Sequence, residues 1–231
     1  MGVRRWRQTA ALLVSAGAAA ASLAGCGAAG PAAASMASAG PFSAAELRGA
    51  LLTRVNGVTT VAPAATGSYS SLTGGSAGTA AANAVKVIPK ACGGATMTGF
   101  NPAVLAGSPV AAATFRVGKN GVSEMLVASS ARAASSALAG RFPAACGRYR
   151  ETVDGKVFGY RARESGIGGI GRQALVLNVR PAGATMDDLW SLVYRGTGFV
   201  GSVTVVGPNA SEAAVRELGE QAYAFAAKSL S

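Results

Sequence analysis

Arginines stand at alternate positions on both sides of one turn. Arg148 and Arg150 are two residues apart, Arg161 and Arg163 are two apart, and Asp154-Gly155 lies between the pairs. Asp-Gly between alternating runs signals a β-hairpin. Residues two apart on a strand share a face, so each pair projects from one side of its strand. Phe158 and Tyr160 take the opposite side. Guanidinium groups on a common face can grip a phosphate, a carboxylate or an anionic polymer bidentately. Arg172 follows the hairpin and adds another positive charge. The competing reading is a solvated sheet surface over an apolar inner face.

A second pattern begins at residue 165, in SGIGGIGRQ. Gly166, Gly168 and Gly171 fall on the G-x-G-x-x-G spacing of a dinucleotide-binding turn. That turn needs a helix after it, whose free N–H groups hold the phosphates. Here Gln173-Ala174-Leu175-Val176-Leu177-Asn178-Val179 follows, which reads as a strand. The glycines therefore predict a tight connection and no nucleotide.

Few residues here do reaction chemistry. The chain has no histidine, which removes Ser-His-Asp and Cys-His catalysis and histidine metal sites. The acidic residues are scattered. Asp187 and Asp188 are neighbours and would point to opposite faces of a strand. Glu151, Asp154 and Glu164 lie on or beside the arginine hairpin. A carboxylate pair there would be the basis of a hydrolase; solvated hairpin charges are the plainer reading. No catalytic residue, metal or cofactor is assigned.

The N-terminus carries an address. Arg4, Arg5 and Arg7 precede a small and apolar run that ends Leu23-Ala24-Gly25-Cys26. This is a secretory leader, and its end matches the bacterial lipobox, in which the cysteine is lipidated and becomes the first mature residue. The reading divides the chain into a leader at 1–25, a lipidated Cys26 with a flexible tether at 26–42, and one domain at 43–231. It places the protein on the outer face of the cytoplasmic membrane. The three cysteines then resolve. With Cys26 lipidated, Cys92 and Cys146 remain as a pair, and outside the cytoplasm they are expected to be oxidised.

The net charge is +11. A basic exported domain beside a membrane is drawn to anionic lipid or wall polymer, although a basic surface also serves solubility alone. Nucleic acid is not expected: the compartment is wrong and no nucleic-acid-binding motif occurs.

These residues need a scaffold. Ser43-Ala44-Ala45-Glu46 is a capping box with Phe42 and Leu47 as its staple. It predicts a helix over 44–54 that stops near Asn56-Gly57. Residues 57–84 are mostly loop, with a short strand at either end. Strands at 110–117 and 122–128 flank a turn at Lys119-Asn120-Gly121. A helix follows over 130–141, ended by Pro143. Beyond the arginine hairpin come a strand at 173–180 and a hairpin of 189–194 with 199–206. Asn209 to Glu212 reads as a second capping box. It opens a helix to about 227 with Ala213, Leu218, Tyr223 and Phe225 inward. The fold class is α+β: a curved antiparallel sheet of five to seven strands, covered by N-terminal, middle and C-terminal helices.

The order of features also forms a pattern. A lipobox and small-residue tether lead to Ala-Glu-Leu-Arg-Gly-Ala-Leu-Leu-Thr at 45–53, and then to a cysteine after a polar loop. An Ala-rich helix ends Phe142-Pro143-Ala144-Ala145-Cys146, and Gly169-Ile170-Gly171-Arg172 leads into Ala174-Leu175-Val176-Leu177. In this order the chain resembles actinobacterial lipoproteins related to the extracellular sensor domain of the kinase PknH. Arg172 stands where that family usually has Asp, and this chain has cysteines for one domain disulfide where the sensor domain has two. The resemblance implies a curved antiparallel sheet with a cleft for an extracellular ligand. The functional expectation is a lipid-anchored, non-catalytic binding or sensor-like domain. Its alternatives are a carrier of lipid or glycolipid and, less favoured, an extracellular hydrolase.

Overall fold

The structure, a computed structural model, describes residues 40–74, 86–92, 100–139, 143–153, 155–183 and 187–231. The leader, Cys26, the tether as far as residue 39, Phe142 and Asp154 lie outside the described residues.

Helix α1 spans Ala44–Gly49. Its capping box forms: Ser43 N–H donates to the Glu46 carboxylate at 2.7 Å, and Glu46 N–H donates to Ser43 Oγ at 3.3 Å. The helix is shorter than the 44–54 expected. Leu52 N–H, which would continue it, instead donates to the Glu124 carboxylate at 2.8 Å. A small ribbon follows, of β1 (Arg54–Val55) and β2 (Val58–Thr59). Asn56 and Gly57 turn it, both at positive φ.

Next come β3 (Ala65–Ser68), α2 (Tyr69–Gly74) and β4 (Lys86–Ile88). The first hairpin is β5 (Pro109–Val117) with β6 (Asn120–Ala128). Val117 pairs with Asn120, so Gly118-Lys119 makes the turn and Asn120-Gly121 already lies in the strand. Gly118, at φ 60°, supplies the left-handed residue that Asn-Gly was expected to supply. Helix α3 (Ala131–Ala139) follows. The remaining strands are β7 (Arg148–Val153), β8 (Lys156–Ile167), β9 (Gln173–Pro181), β10 (Asp188–Arg195) and β11 (Phe199–Gly207).

The last element is α4 (Glu212–Ser229). Its N-cap is Ser211, whose hydroxyl accepts from Ala214 N–H at 3.2 Å. The expected cap at Asn209 is corrected: Asn209 N–H instead donates to the Asn120 side chain. The inward side is Val215, Leu218, Gly219, Ala222 and Ala226. Leu218 was expected there; Ala213 and Phe225 are exposed and Tyr223 is half-buried. The buried residues follow the i, i+3, i+4, i+7 spacing of one helix face, which Ala213 and Phe225 do not share.

The main sheet is antiparallel and has nine strands, in the order β3-β5-β6-β11-β10-β9-β8-β7-β4. It exceeds the five to seven expected because the short strands β3 and β4 add an edge on each side. Both faces are covered. On one, α1 and α4 bury Phe115, Leu126, Leu192, Val203 and Val205. On the other, α3 covers Val127, Val193 and Val200. Farther along that second face, Cys92 and Cys146 form a disulfide and pack with Tyr149, Ala162, Leu177 and Val179. Gly40, Pro41 and Phe42 lie against the ends of β6 and β11.

Candidate functional site: an arginine-lined cleft

Antiparallel register decides what the arginines do together. Arg148 on β7 pairs with Arg161 on β8, and Arg161 pairs with Arg180 on β9. Residues paired across strands share a face, so three arginines form a row. With strands about 4.8 Å apart, the row spans about 10 Å of sheet. One step along, Arg163 pairs with Asn178, and Asn178 pairs with Trp190 on β10. The result is an open cleft of about 860 Å³, lined among others by Arg148, Arg161, Arg163, Arg180, Asn178 and Trp190. That size suits a small ligand.

The cleft exists because α4 stops short. This helix lies on β10 and β11 and covers Ala174, Val176, Leu192 and Tyr194. Beyond its first turn the same face is bare. Glu212, the first helical residue, lines the cleft at that boundary. Because Ser211 caps the helix, Glu212 is released from the capping role the sequence assigned to it.

Like charges directly opposite one another on a sheet repel. Arg180 is compensated: its Nε donates to Asp188 at 3.0 Å. Glu212 is engaged with Arg216 at 3.6 Å. Among the described residues, the exposed side chains of Arg148, Arg161 and Arg163 have no ion-pair partner. Among the described residues, therefore, three cleft arginines stand outside any ion pair, although Glu164 and Glu212 also line the cleft. Trp190 is half-buried, packed against the core and also lining the cleft. The Asn178 side-chain amide is held by donating to Leu189 C=O at 3.1 Å.

The remaining expected residues fall elsewhere. Arg150 pairs with Gly159 on the same face, one step beyond Arg148, and is exposed. Arg172 does not join the row. It lies at the opposite end of β9, just beyond Gln173, and the strand runs roughly 23 Å from Gln173 to Arg180. Its N–H donates to Arg195 C=O at 2.9 Å. The glycine stretch is a hairpin: Ile167 pairs with Ala174, leaving residues 168–172 as the loop. Gly169 and Gly171 have positive φ, and a Cβ on Gly171 would strike the Arg195 carbonyl. Ile170 is buried in the core. The loop feeds a strand, so no helix N-terminus awaits a phosphate there.

Glu151 and Glu164 share one face, opposite to the arginine row. Glu151 pairs with Phe158, six residues before Glu164 on β8. That offset is about 20 Å, well beyond the separations at which two carboxylates act as a hydrolytic pair. Burial raises the Glu151 carboxyl, and a hydrogen bond with Tyr160 partly offsets this. Tyr160 in turn is pushed up to about 12 by burial and by the charge of Glu151. This pair belongs with the stacked Tyr149 and Tyr160 rings beside the disulfide. Asp188 serves Arg180, and exposed Asp187 sits just before β10. Among the described residues no cluster of three or more His, Cys, Asp or Glu could hold a metal. No described helix is long and apolar enough to cross a membrane.

Sequence reasoning missed Arg180, Asn178 and Trp190. The alternation Ala174, Val176, Asn178, Arg180 was visible, and it passes from apolar to polar along one face. What was missing was the pairing of β9 with β8, which sets Arg180 beside Arg161.

Two solved structures are similar to the chain. The extracellular domain of PknH from Mycobacterium tuberculosis is 14% identical over 62% of this chain and 76% of that chain, with a TM-score of 0.43. An Rv0999 ortholog from Mycobacterium smegmatis is 15% identical over 81% of this chain and 93% of that chain, with a TM-score of 0.39. The first is the extracellular domain whose family the sequence pattern resembles. The chain matches no protein-family model and no curated protein.

Proposed function

We propose that the chain is a lipid-anchored extracytoplasmic protein whose domain binds an anionic ligand without transforming it. The observation that carries the binding half is the row Arg148, Arg161, Arg180 with Arg163 beside it, in a cleft where three of the four lack a carboxylate among the described residues. Such a row costs folding energy through repulsion, and a bound phosphate or carboxylate offsets that cost. The lipobox at 23–26 supports anchoring through Cys26, and the disulfide fits an oxidising compartment. Anionic envelope polymers and small anions are the matching partners outside the membrane.

The carrier alternative needs an apolar chamber between sheet and helix. That layer is filled by Leu192, Val203, Leu218 and Ala222, all buried. Gly219 lets α4 lie close, since a Cβ there would sit 2.8 Å from the Leu192 methyls. This favours the open cleft over an internal lipid site.

Two measurements test the proposal. Replacing Arg148, Arg161 and Arg163 together by Ala should lower affinity for inorganic phosphate or a uronate polymer at least tenfold, with salt weakening the wild-type binding. Equal binding by both proteins would remove the cleft from consideration. For the anchor, Cys26→Ser should move the protein from the membrane to the soluble fraction, and retention on the membrane would refute lipidation as its tether.

A further inference from the structure

The cleft is charged on one side and aromatic on the other. The row Arg148–Arg161–Arg180 lies next to the row Arg163–Asn178–Trp190, two residues along the same strands. Trp190 rests on the core and lines the cleft with what remains exposed. A half-buried indole that lines the cleft beside guanidinium groups fits a ligand with an apolar flat surface and an anionic group. Asn178 and Glu212 add amide and carboxylate groups at the wall, and these hydrogen-bond neutral hydroxyls. Glu164 and Glu212 in the lining, with Asp188 on Arg180, also put negative charge at the margins, which disfavours a ligand with dense phosphates.

Resting on the anion-binding reading above, we infer that the ligand is an anionic saccharide: a sugar ring seated on Trp190, with its carboxylate or phosphate held by Arg161 and its neighbours. The C–H face of a pyranose is apolar and packs on an indole ring. Its hydroxyls meet the polar wall, and its charge meets the row. A free inorganic anion would use the arginines alone and leave Trp190 idle.

Trp190 is its own reporter. The chain has 2 tryptophans, Trp6 and Trp190, so full-length protein carrying Trp6→Phe fluoresces from the cleft only. The probes are a glucuronate oligosaccharide, glucose 6-phosphate, a neutral oligosaccharide of matched length, adenosine monophosphate and inorganic phosphate. A charged sugar should shift Trp190 emission and bind at least tenfold tighter than inorganic phosphate or the neutral sugar. The glucuronate and sugar-phosphate arms show which acid is preferred. Trp190→Phe should cost the charged sugar about tenfold and leave inorganic phosphate unchanged, read by calorimetry. If that variant unfolds, Trp190→Tyr gives the same comparison. Arg161→Ala should weaken both kinds of ligand. Equal affinity for inorganic phosphate and charged sugars, with no effect of Trp190→Phe, would overturn the saccharide inference and leave the anion site standing. Tighter binding of adenosine monophosphate than of glucose 6-phosphate would also overturn it. Absence of binding by every anion would overturn both readings.

Discussion

Strands β9 and β10 each change character halfway along. Under α4, one face presents Ala174, Val176, Leu192 and Tyr194, all buried. Past the Ser211 cap the same face presents Asn178, Arg180, Trp190 and Asp188, half-buried or exposed. The two halves share strands, register and pleat. They differ in whether a helix lies above them. The reverse sides differ too. Behind the covered half is α3, and behind the bare half is the Cys92–Cys146 disulfide with its small cluster. A sheet can thus hold a core and an open cleft on one face, provided the helix begins at the right residue.

Separating these halves by experiment gives graded outcomes. The largest effect is expected from the disulfide. Its cysteines are 54 residues apart, and closing a loop of that size contributes about 4 kcal/mol in the chain-entropy account. Replacing both cysteines by Ser should cost that much in denaturant unfolding. Hydrogen exchange should rise over β7 and β8 far more than over β10 and β11. Equal loss of protection in both would mean that the halves are one unit.

In the covered half, Leu192→Ala should cost roughly 3 kcal/mol, since the side chain is fully buried beneath α4. Phosphate affinity should stay within twofold of wild type, and a large loss would tie the cleft to the core.

Glu124 tests how dry the covered half is. It is 1% exposed, and one carboxylate oxygen accepts from Leu52 N–H. Burial, only partly offset by that bond, raises its pKa from 4.5 to about 7. Tyr194 is raised as well, by burial and then by the nearby Glu124. Between those two pH values the folded chain keeps a proton that the unfolded chain has lost. Glu124 therefore favours the fold most below pH 4.5, and stability should fall by up to about 3 kcal/mol as pH rises to about 7. Glu124→Gln keeps an acceptor for Leu52 and should flatten the profile. An unchanged slope in that variant would show that other groups set it.

The smallest stability effects belong to the bare half. Arg161→Ala should change unfolding by no more than about 0.5 kcal/mol, because it removes an exposed charge from a repelling row. Its affinity for phosphate should nevertheless drop about tenfold. Arg172→Ala is the matched control, also exposed but at the far end of β9. It should leave affinity unchanged, and an equal loss in both variants would reduce the site to long-range attraction by net charge.

Several features were readable without coordinates because they are local. The capping box at Ser43 and Glu46 needs only four consecutive residues, and Asp-Gly predicts its hairpin in the same way. Period-two alternation placed Arg148 with Arg150 and Arg161 with Arg163. The absence of a helix after the glycines followed from Gln173–Val179. Cys92 and Cys146 paired by elimination once Cys26 was assigned to lipid. Where a local signal met a tertiary contact, the sequence misled. Asn209 reads as an N-cap, but its N–H donates to the Asn120 side chain and Ser211 caps the helix. Lys119-Asn120-Gly121 lost the turn to Gly118-Lys119 because the register ran one pair farther.

What the sequence alone determined, then, is the class of fold, the residue pairs on each strand and the cysteines free to bond. The tertiary structure decided the rest. It set Arg180 beside Arg161, sent Arg172 to the far end of its strand, and released Glu212 and Trp190 into the cleft. The physical reason is that a strand's own period fixes which face a residue takes. Which charges meet across the sheet depends on strand order and register, and which of them stay bare depends on where α4 begins.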